Sequence, residues 1–227
     1  MQKPHLKRNQ QLVDTYKTFC EADGSKHISS EYAINKLNKI IQYFNINNIL
    51  ELGLGIGSIS GTLLALNKNK MKLNYSGTEA NEFCLRSLST NLKKDFNRLE
   101  IFKDLSEIPV QKRFDLIIVD GEDLQLSKIV ALINTRGIIA IEGDRTPQQQ
   151  LLQKLFPNNK EIHCISLKKN KNYSPFPIKE WQGGLKVIFV KPTRQQYAWW
   201  IKEKIWTKIK YHYPGRYLGD KNPKHEE

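Results

Sequence analysis

The sequence predicts an α/β protein in which a mostly parallel sheet is covered by helices on both faces. From Leu50 onward, short apolar runs alternate with amphipathic segments along a chain of 227 residues. That alternation is typical of parallel strands joined by helical crossovers. The segment 49–58 also leads from an apolar run through three glycines into an amphipathic segment, the pattern of a buried strand that turns tightly into a helix.

Two helices are predicted before the sheet. Within residues 1–27, apolar side chains at Leu12, Val13, Tyr16 and Phe19 suit one helix over the core. Ser29 is predicted to cap a second helix that ends at 45–48. Its apolar face comprises Tyr32, Ile34, Leu37, Ile40, Ile41 and Phe44.

The remaining elements follow from periodicity and from helix start and stop signals. Thr146 and Pro147 resemble an N-cap followed by a first-turn proline, and Pro157 stops that helix. Strands are expected near 48–53, 73–79, 99–103, 114–120, 137–142, 162–167 and 185–191, and helices near 58–67, 81–94, 123–133 and 147–156. A final helix is expected over 193–213, with an apolar stripe at Tyr197, Ile201, Ile205 and Ile209, before a loosely held tail at 214–227.

Length and composition predict one cytoplasmic domain. We divide 1–227 into a helical cap (1–47), a core (48–192) and a C-terminal helix and tail (193–227). No apolar run approaches the roughly 20 residues that cross a bilayer, and no signal-peptide segment follows the basic N-terminus. The three cysteines lie far apart without a CxxC pair, which argues against a disulfide framework and against a zinc site.

The net charge of +13 and a pI of about 9.5 indicate an anionic partner. A composition rich in lysine, asparagine and isoleucine is the alternative explanation, because the lysines are scattered along the chain. The charge alone therefore does not distinguish between these two readings.

The glycine-rich turn predicts a nucleotide-like ligand. Gly53, Gly55 and Gly57 allow positive φ and let a ligand lie against backbone amides at a helix start. The third glycine comes one residue earlier than in the G-x-G-x-x-G pattern of dinucleotide-binding proteins, and Ser58 stands in its place. Glu79 follows Gly57 by 22 residues, close to the interval at which an acid binds ribose hydroxyls.

Acidic residues follow the next three predicted strands. They are Asp104 after the third strand, Asp120, Glu122 and Asp123 after the fourth, and Glu142 and Asp144 after the fifth. Since ligands of open parallel sheets bind beyond the carboxyl ends of the strands, these acids are expected to converge on one site. Isolated solvated acids at strand ends are the alternative.

An acidic residue followed by G-x-G-x-G, here Glu51 and the three glycines, resembles the first motif of class I S-adenosylmethionine (SAM)-dependent methyltransferases. Segments 114–121 and 137–144 resemble the fourth and fifth strands of their small-molecule and sugar O-methyltransferases. The resemblance covers roughly 28–191 and implies a Rossmann-like three-layer sandwich, with a seven-stranded sheet whose last strand pair is antiparallel. It implies SAM as cofactor, bound by Glu51, Gly53, Gly55, Gly57, Ser58, Glu79, Ala80, Asp104, Leu105 and Asp120.

The resemblance also suggests how an acceptor hydroxyl is activated. Because a sulfonium methyl is already reactive, the enzyme mainly aligns it with the acceptor and removes a proton. We expect Asp120 and Asp144 to serve here, with Asp123 or Glu142 as substitutes. Metal-dependent members hold a divalent cation between such acids, which implies magnesium or manganese at Asp120, Asp144 and Glu142. The histidine that often follows the fourth-strand Asp-Gly is replaced by Asp123.

The acceptor and the partners are less determined. A sugar or glycoconjugate hydroxyl is the leading hypothesis, and a small aromatic natural product, RNA or a catalytically silent scaffold are the alternatives. No appended RNA-binding module is found, which argues against nucleic acid. The loop 168–184 is expected to border the acceptor pocket, or else to be a surface hairpin. Trp199 and Trp206, with nearby lysines, suit either packing on the domain or an anionic membrane at the inner face.

Overall fold

The computed structural model describes residues 4–68 and 73–212, and its strands form one seven-stranded sheet. The strands are β1 Asn48–Leu52, β2 Asn74–Thr78, β3 Leu99–Phe102, β4 Phe114–Val119, β5 Ile133–Glu142, β6 Lys160–Ile165 and β7 Gly184–Phe189. The helices are α1 Pro4–Cys20, α2 Glu31–Tyr43, α3 Ser58–Asn67, α4 Glu82–Leu92, α5 Ile129–Leu132, α6 Thr146–Leu155 and α7 Arg194–His212. The predicted tail at 214–227 lies outside the described residues.

The strand order is β3-β2-β1-β4-β5-β7-β6. The first five strands in this order pair in parallel, and β7 pairs antiparallel with both β5 and β6. The predicted sheet with an antiparallel last pair is therefore confirmed. Because the order reverses between β1 and β4, the connections that follow these two strands run to opposite faces of the sheet and leave a crevice between them, where such sheets bind ligands.

Apolar clusters cover both faces of the sheet, as the near-continuous apolar runs of β1 and β4 require. One face packs α1, α2, α3 and α4 through side chains such as Tyr16, Ile34, Leu63 and Leu88. The other face packs α5 and α6 together with the loops after β3 and β4. The central strands are thus closed to solvent except at their ends.

Three sequence-based helix boundaries are wrong, and one of them is the start of α6, whose N-cap is Arg145 rather than Thr146. Ser30 caps α2, since its hydroxyl accepts a hydrogen bond from the Ala33 amide at 3.2 Å, whereas Ser29 is buried beside it. The helix expected over 123–133 is reduced to a 3-10 turn at Leu126–Lys128 and the four-residue α5. The chain already enters β5 at Ile133, which is buried and pairs with Phe114 across a register shift.

Helix α7 packs on the sheet through Trp199 rather than through its predicted apolar stripe. The Trp199 ring lies 5.5 Å from that of Phe189 and 6.0 Å from that of Phe44, centroid to centroid. Tyr197, Ile201 and Ile205 of the stripe are exposed. No helix in the described parts of the chain combines the length and apolarity needed to span a membrane. Contact of α7 with a membrane surface stays a prediction, one that Trp199 cannot serve because it is buried.

Candidate active site

The turn between β1 and α3 depends on all three of its glycines. Gly53, Gly55 and Gly57 adopt φ of 85°, 54° and 89°. A Cβ on Gly53 would lie 2.7 Å from the Cα of Gly121, because the ends of β1 and β4 approach at this point. A Cβ on Gly57 would meet Leu88 and Leu92 of α4. Gly55 has open space instead, so the backbone is bare on the side that faces the crevice.

Glu79 closes the other side of this turn. One oxygen of its carboxylate accepts a hydrogen bond from the Gly55 amide at 2.7 Å. The other accepts from the amides of Ala80 and Asn81 at 2.9 and 2.8 Å. The acid predicted to hold ribose hydroxyls and the glycine turn are therefore in direct contact.

A cavity of about 700 Å³ opens beside these residues at the carboxyl ends of the strands. Its volume is that of a typical small-molecule site. Most residues that line it have polar or charged side chains, and acids outnumber bases. The lining residues are His27, Gly53, Gly55, Thr78, Glu79, Ala80, Asn81, Lys103, Asp104, Asp120, Gly121, Glu122, Asp123, Leu124, Gln125, Glu142 and Arg145.

Asp120 and Glu142 form a carboxyl pair in the wall of the cavity. Burial, and then the neighbouring Glu142 with which it shares a hydrogen bond, raise the pKa of Asp120 well above its ordinary value, while Arg145 opposes this rise. The Arg145 guanidinium donates to the backbone carbonyl of Asp120, and it lies 3.4 Å from the Asp120 carboxylate and 3.0 Å from the Glu142 carbonyl. A carboxyl group that can accept a proton, Asp120, thus lies beside the fixed positive charge of Arg145.

Asp144 does not join this pair. Gly143 has φ of 75°, and the turn leaves the Asp144 side chain 90% exposed. There it accepts from the Thr146 hydroxyl at 2.9 Å and lies 3.6 Å from the Lys186 ammonium. Of the two acids that flank the glycine, Glu142 is the one that faces Asp120, and its Oε1 also accepts from the Ser30 amide at 3.4 Å at the start of α2.

Four predicted cofactor residues lie behind the cavity wall. Glu51 is fully buried and accepts a hydrogen bond from the Tyr75 hydroxyl, and its Oε1 has no partner in the described chain. Ser58 is buried in the first turn of α3, and Gly57 packs on α4. Leu105 belongs to the core on the other face of the sheet. These residues shape the turn and its support from behind.

Asp104 and Asp123 line the cavity, but their carboxylates accept hydrogen bonds from backbone amides of the surrounding loops. Asp104 accepts from the Ser106 amide at 2.7 Å. Asp123 accepts from the amides of Leu105 and Gln125 at 3.3 and 2.7 Å. Asp123 therefore links the loops after β3 and β4, which brings both to the mouth of the cavity.

Sequence reasoning gave Arg145 no role, and it left two positions open for the loop 168–184. Arg145 follows the acids after β5 directly, and that position was its only signal. His27 lines the cavity rather than facing solvent alone. The loop 168–184, which is described throughout, packs Tyr173 and Phe176 against the α1–α2 side of the core, and none of its residues lines the cavity.

The carboxylates here do not present an open ligand set for a divalent cation. Among the described residues, no three or more His, Cys, Asp or Glu side chains are grouped so that they could hold a metal ion. The Arg145 guanidinium lies against Asp120, and Asp144 points away. The predicted trio of Asp120, Glu142 and Asp144 is therefore not assembled in this arrangement.

Comparison with solved structures gives relatives over most of the chain. An O-methyltransferase from Bacillus cereus in complex with SAH superposes with a TM-score of 0.57 at 16% identity, covering 80% of this chain and 91% of that one. TomG from Streptomyces achromogenes, an O-methyltransferase of tomaymycin synthesis in complex with SAM, gives 0.56 at 12%, with 80% and 89% covered. The SAH-bound Podospora anserina methyltransferase PaMTH1 gives 0.52 at 15%, with 79% and 87% covered.

The chain has the class I methyltransferase fold. The fold predicted from the glycine turn and the acidic strand ends is thereby confirmed. Comparisons with protein-family models and with curated proteins give no match. Because one fold hosts many activities, the methyltransferase fold of this chain establishes the architecture, and the function has to be argued from the site.

Proposed function

We propose that the protein is a SAM-dependent O-methyltransferase that methylates a hydroxyl of a sugar, glycoconjugate or similar polar small molecule. One observation carries the proposal: Glu79, bonded to the Gly55 amide, lines the same cavity as the Asp120–Glu142 pair. A place for a ribose and a place for a proton acceptor thus open into one space.

The cofactor would lie along the glycine turn. Bare backbone at Gly55 permits close approach of its amino-acid and ribose parts, and the Glu79 carboxylate can accept from ribose hydroxyls. The crystallised relatives support this placement, since those from Bacillus cereus and Streptomyces achromogenes are complexes with SAH and SAM. When bound, SAM supplies an activated methyl group on a sulfonium.

The carboxyl pair would act on the acceptor. The Asp120 carboxylate would accept the proton that the acceptor hydroxyl loses, and SAM held at the glycine turn would supply the methyl group that takes the place of that proton on the oxygen. A raised pKa makes Asp120 a stronger base than an exposed aspartate, and Arg145 favours its ionised form. The amide of Ser30 and the guanidinium fix the two carboxyl groups in place.

The lining favours a polar acceptor. Charged and amide side chains surround the mouth, and Leu124, the large apolar residue there, is fully exposed. An enclosed apolar pocket, which an aromatic natural product would favour, is not what this cavity offers. Carboxylates and amides instead match the many hydroxyl donors of a sugar.

Calorimetric titration with SAM tests the cofactor site. We expect the wild-type protein to bind SAM and the variant Gly55→Arg to lose binding, because the new side chain enters the cavity. Gly183→Arg is the matched control: Gly183 also has positive φ, of 62°, and open space, but lies in the loop before β7, outside the cavity lining. Equal binding by all three proteins would place the cofactor elsewhere or nowhere.

A methyl-transfer screen over sugar, phenolic and RNA acceptors tests the reaction. We expect transfer to a sugar hydroxyl, reduced about 10²- to 10⁴-fold in Asp120→Asn, while SAM affinity changes little. Transfer to phenols alone or to RNA alone would refute the acceptor class. SAM binding without transfer to any acceptor class would support the silent-scaffold alternative.

A further inference from the structure

A lysine-rich groove lies between α2 and α7, apart from the candidate active site. We call it the lysine groove. It consists of two adjoining cavities, of about 220 and 500 Å³, that share Lys36, Lys39, Lys202 and Glu203. The smaller one is completed by Tyr32, Asn35, Trp206 and Lys210, and the larger one by Gln42, Tyr43 and Trp199.

The charges of the lysine groove are unbalanced. Four lysines line it, and Glu203 is the one carboxylate among the described residues that do so. Glu203 is already committed, because it lies 2.7 Å from the Lys36 ammonium in an ion pair in which both side chains are less than 15% exposed. The described lining therefore offers no second carboxylate that could pair with Lys39, Lys202 or Lys210.

The positions of these three lysines leave ammonium groups available to a ligand. Lys210 donates a hydrogen bond to the Ile165 carbonyl at 2.8 Å, which holds its end of the groove in place. Within the described chain, the ammonium groups of Lys39 and Lys202 neither donate a hydrogen bond nor form an ion pair, although both residues line the groove. Both are exposed, so that their ammonium groups can turn towards a ligand.

The ammonium groups of the lysine groove repel one another, and partial burial and this repulsion both lower the pKa of two of them. Partial burial, and then Lys36 and Lys168, lower the pKa of Lys39, and partial burial, Lys36 and Lys39 lower that of Lys210. Both shifts are in the direction expected when ammonium groups repel one another. An anion among them would remove this repulsion, which favours binding of a multiply charged anion.

We propose that the lysine groove binds a phosphate ester, with the phosphoryl group in the smaller cavity between Lys39, Lys202 and Lys210. A volume of about 220 Å³ is below that of most organic-ligand sites and suits a compact anion. The larger cavity, beside Tyr43, takes the attached organic group, which can lie against the half-exposed ring of that tyrosine. Phosphoryl oxygens accept charge-assisted hydrogen bonds from several ammonium groups at once.

Titration with glucose 1-phosphate tests the proposal, with glucose as the uncharged control and inorganic phosphate as the bare anion. We expect the ester to bind more tightly than phosphate and glucose not to bind. The double variant Lys39→Gln/Lys202→Gln should weaken binding about 100-fold, since each charge-assisted hydrogen bond is worth roughly a factor of ten or more. Both positions are exposed, so the substitutions leave the core intact.

A charge-matched control separates the groove from the general basic surface. Lys128→Gln/Lys154→Gln removes two exposed lysines from the opposite side of the sheet and should leave affinity unchanged. Equal weakening in both double variants would overturn the proposal, as would absence of binding at millimolar ester. Lys202→Glu gives a single-site version of the test, in which a carboxylate should abolish binding.

A vesicle assay distinguishes the source of the phosphoryl group. Phosphatidylcholine vesicles with and without phosphatidic acid present the same chemistry on a surface. Co-sedimentation that depends on phosphatidic acid and is lost in Lys39→Gln/Lys202→Gln would identify a lipid headgroup. Ester binding without such co-sedimentation would identify a soluble phosphate ester. These measurements involve no methyl transfer, so their outcome is independent of the proposed reaction.

Discussion

A buried carboxyl group supports the glycine turn. Glu51 is fully buried behind the turn, and burial, followed by Asp120 and Glu79, raises its pKa well above the ordinary value although the bond from Tyr75 opposes this. The folded protein therefore retains a proton that the unfolded chain releases once the pH exceeds the ordinary carboxyl pKa. By linkage, the contribution of Glu51 to stability falls as pH rises from there towards the folded-state pKa.

We expect Glu51→Gln to become progressively more stable than the wild type as pH rises above 5, because the amide cannot ionise. The gain is at most about 1.4 kcal/mol per pH unit. Urea unfolding at several pH values measures it, with Glu180→Gln, which removes an exposed carboxyl group, as the control. A constant difference between variant and wild type over this range would contradict the buried, protonated Glu51.

The carboxyl ends of β1 and β4 approach closely at Gly53. Gly53→Ala meets both a φ of 85° and backbone atoms of Gly121 at 2.7 Å, whereas Gly143→Ala meets a φ of 75° in open space. The difference between the two variants isolates the steric contact. We expect Gly53→Ala to be less stable than Gly143→Ala by about 2 kcal/mol in chemical denaturation. Equal losses would mean that the two strand ends separate readily.

At the scale of elements, Trp199 joins α7 to the sheet. It packs against Phe44 and Phe189, and the Lys36 ammonium lies 5.2 Å from its ring centroid. Trp200, one residue on, donates its indole N–H to the Glu161 carbonyl of β6 at 2.7 Å. These contacts seat the helix that forms one wall of the lysine groove.

We expect Trp199→Ala to lower the free energy of unfolding by about 3–5 kcal/mol, because it leaves a cavity at this junction. Trp206→Ala, on the same helix but 44% exposed, should cost less than about 1 kcal/mol. Thermal and chemical denaturation compare the two. Similar losses in both variants would contradict the packing of α7 described here.

At the scale of the whole molecule, opposite charges are segregated. The net charge is +13, yet the candidate active site is lined by six carboxylate side chains against two basic side chains and one histidine. Four lysines instead line the groove between α2 and α7. Net charge therefore describes the surface at large and does not indicate what the site binds.

Local signals predicted much of the fold and part of the site. Apolar runs and glycine spacing located the strands, the turn at Gly53–Gly57 and the acid at Glu79, because period and backbone freedom are properties of neighbouring residues. The short α5 and the early start of β5 were missed, since Ile133 joins the sheet through pairing with Phe114, a residue distant in sequence.

By itself, the sequence determined that this chain forms a mostly parallel sheet with a glycine-rich turn after its first strand and acidic residues at the strand ends. Only the tertiary structure decided which side chains meet: that Glu142 rather than Asp144 faces Asp120, that Arg145 lies between the strand ends, and that lysines of α2 and α7 share a groove. The physical reason is that a positive φ at one glycine, or the packing of two distant helices, redirects side chains whose identities remain unchanged.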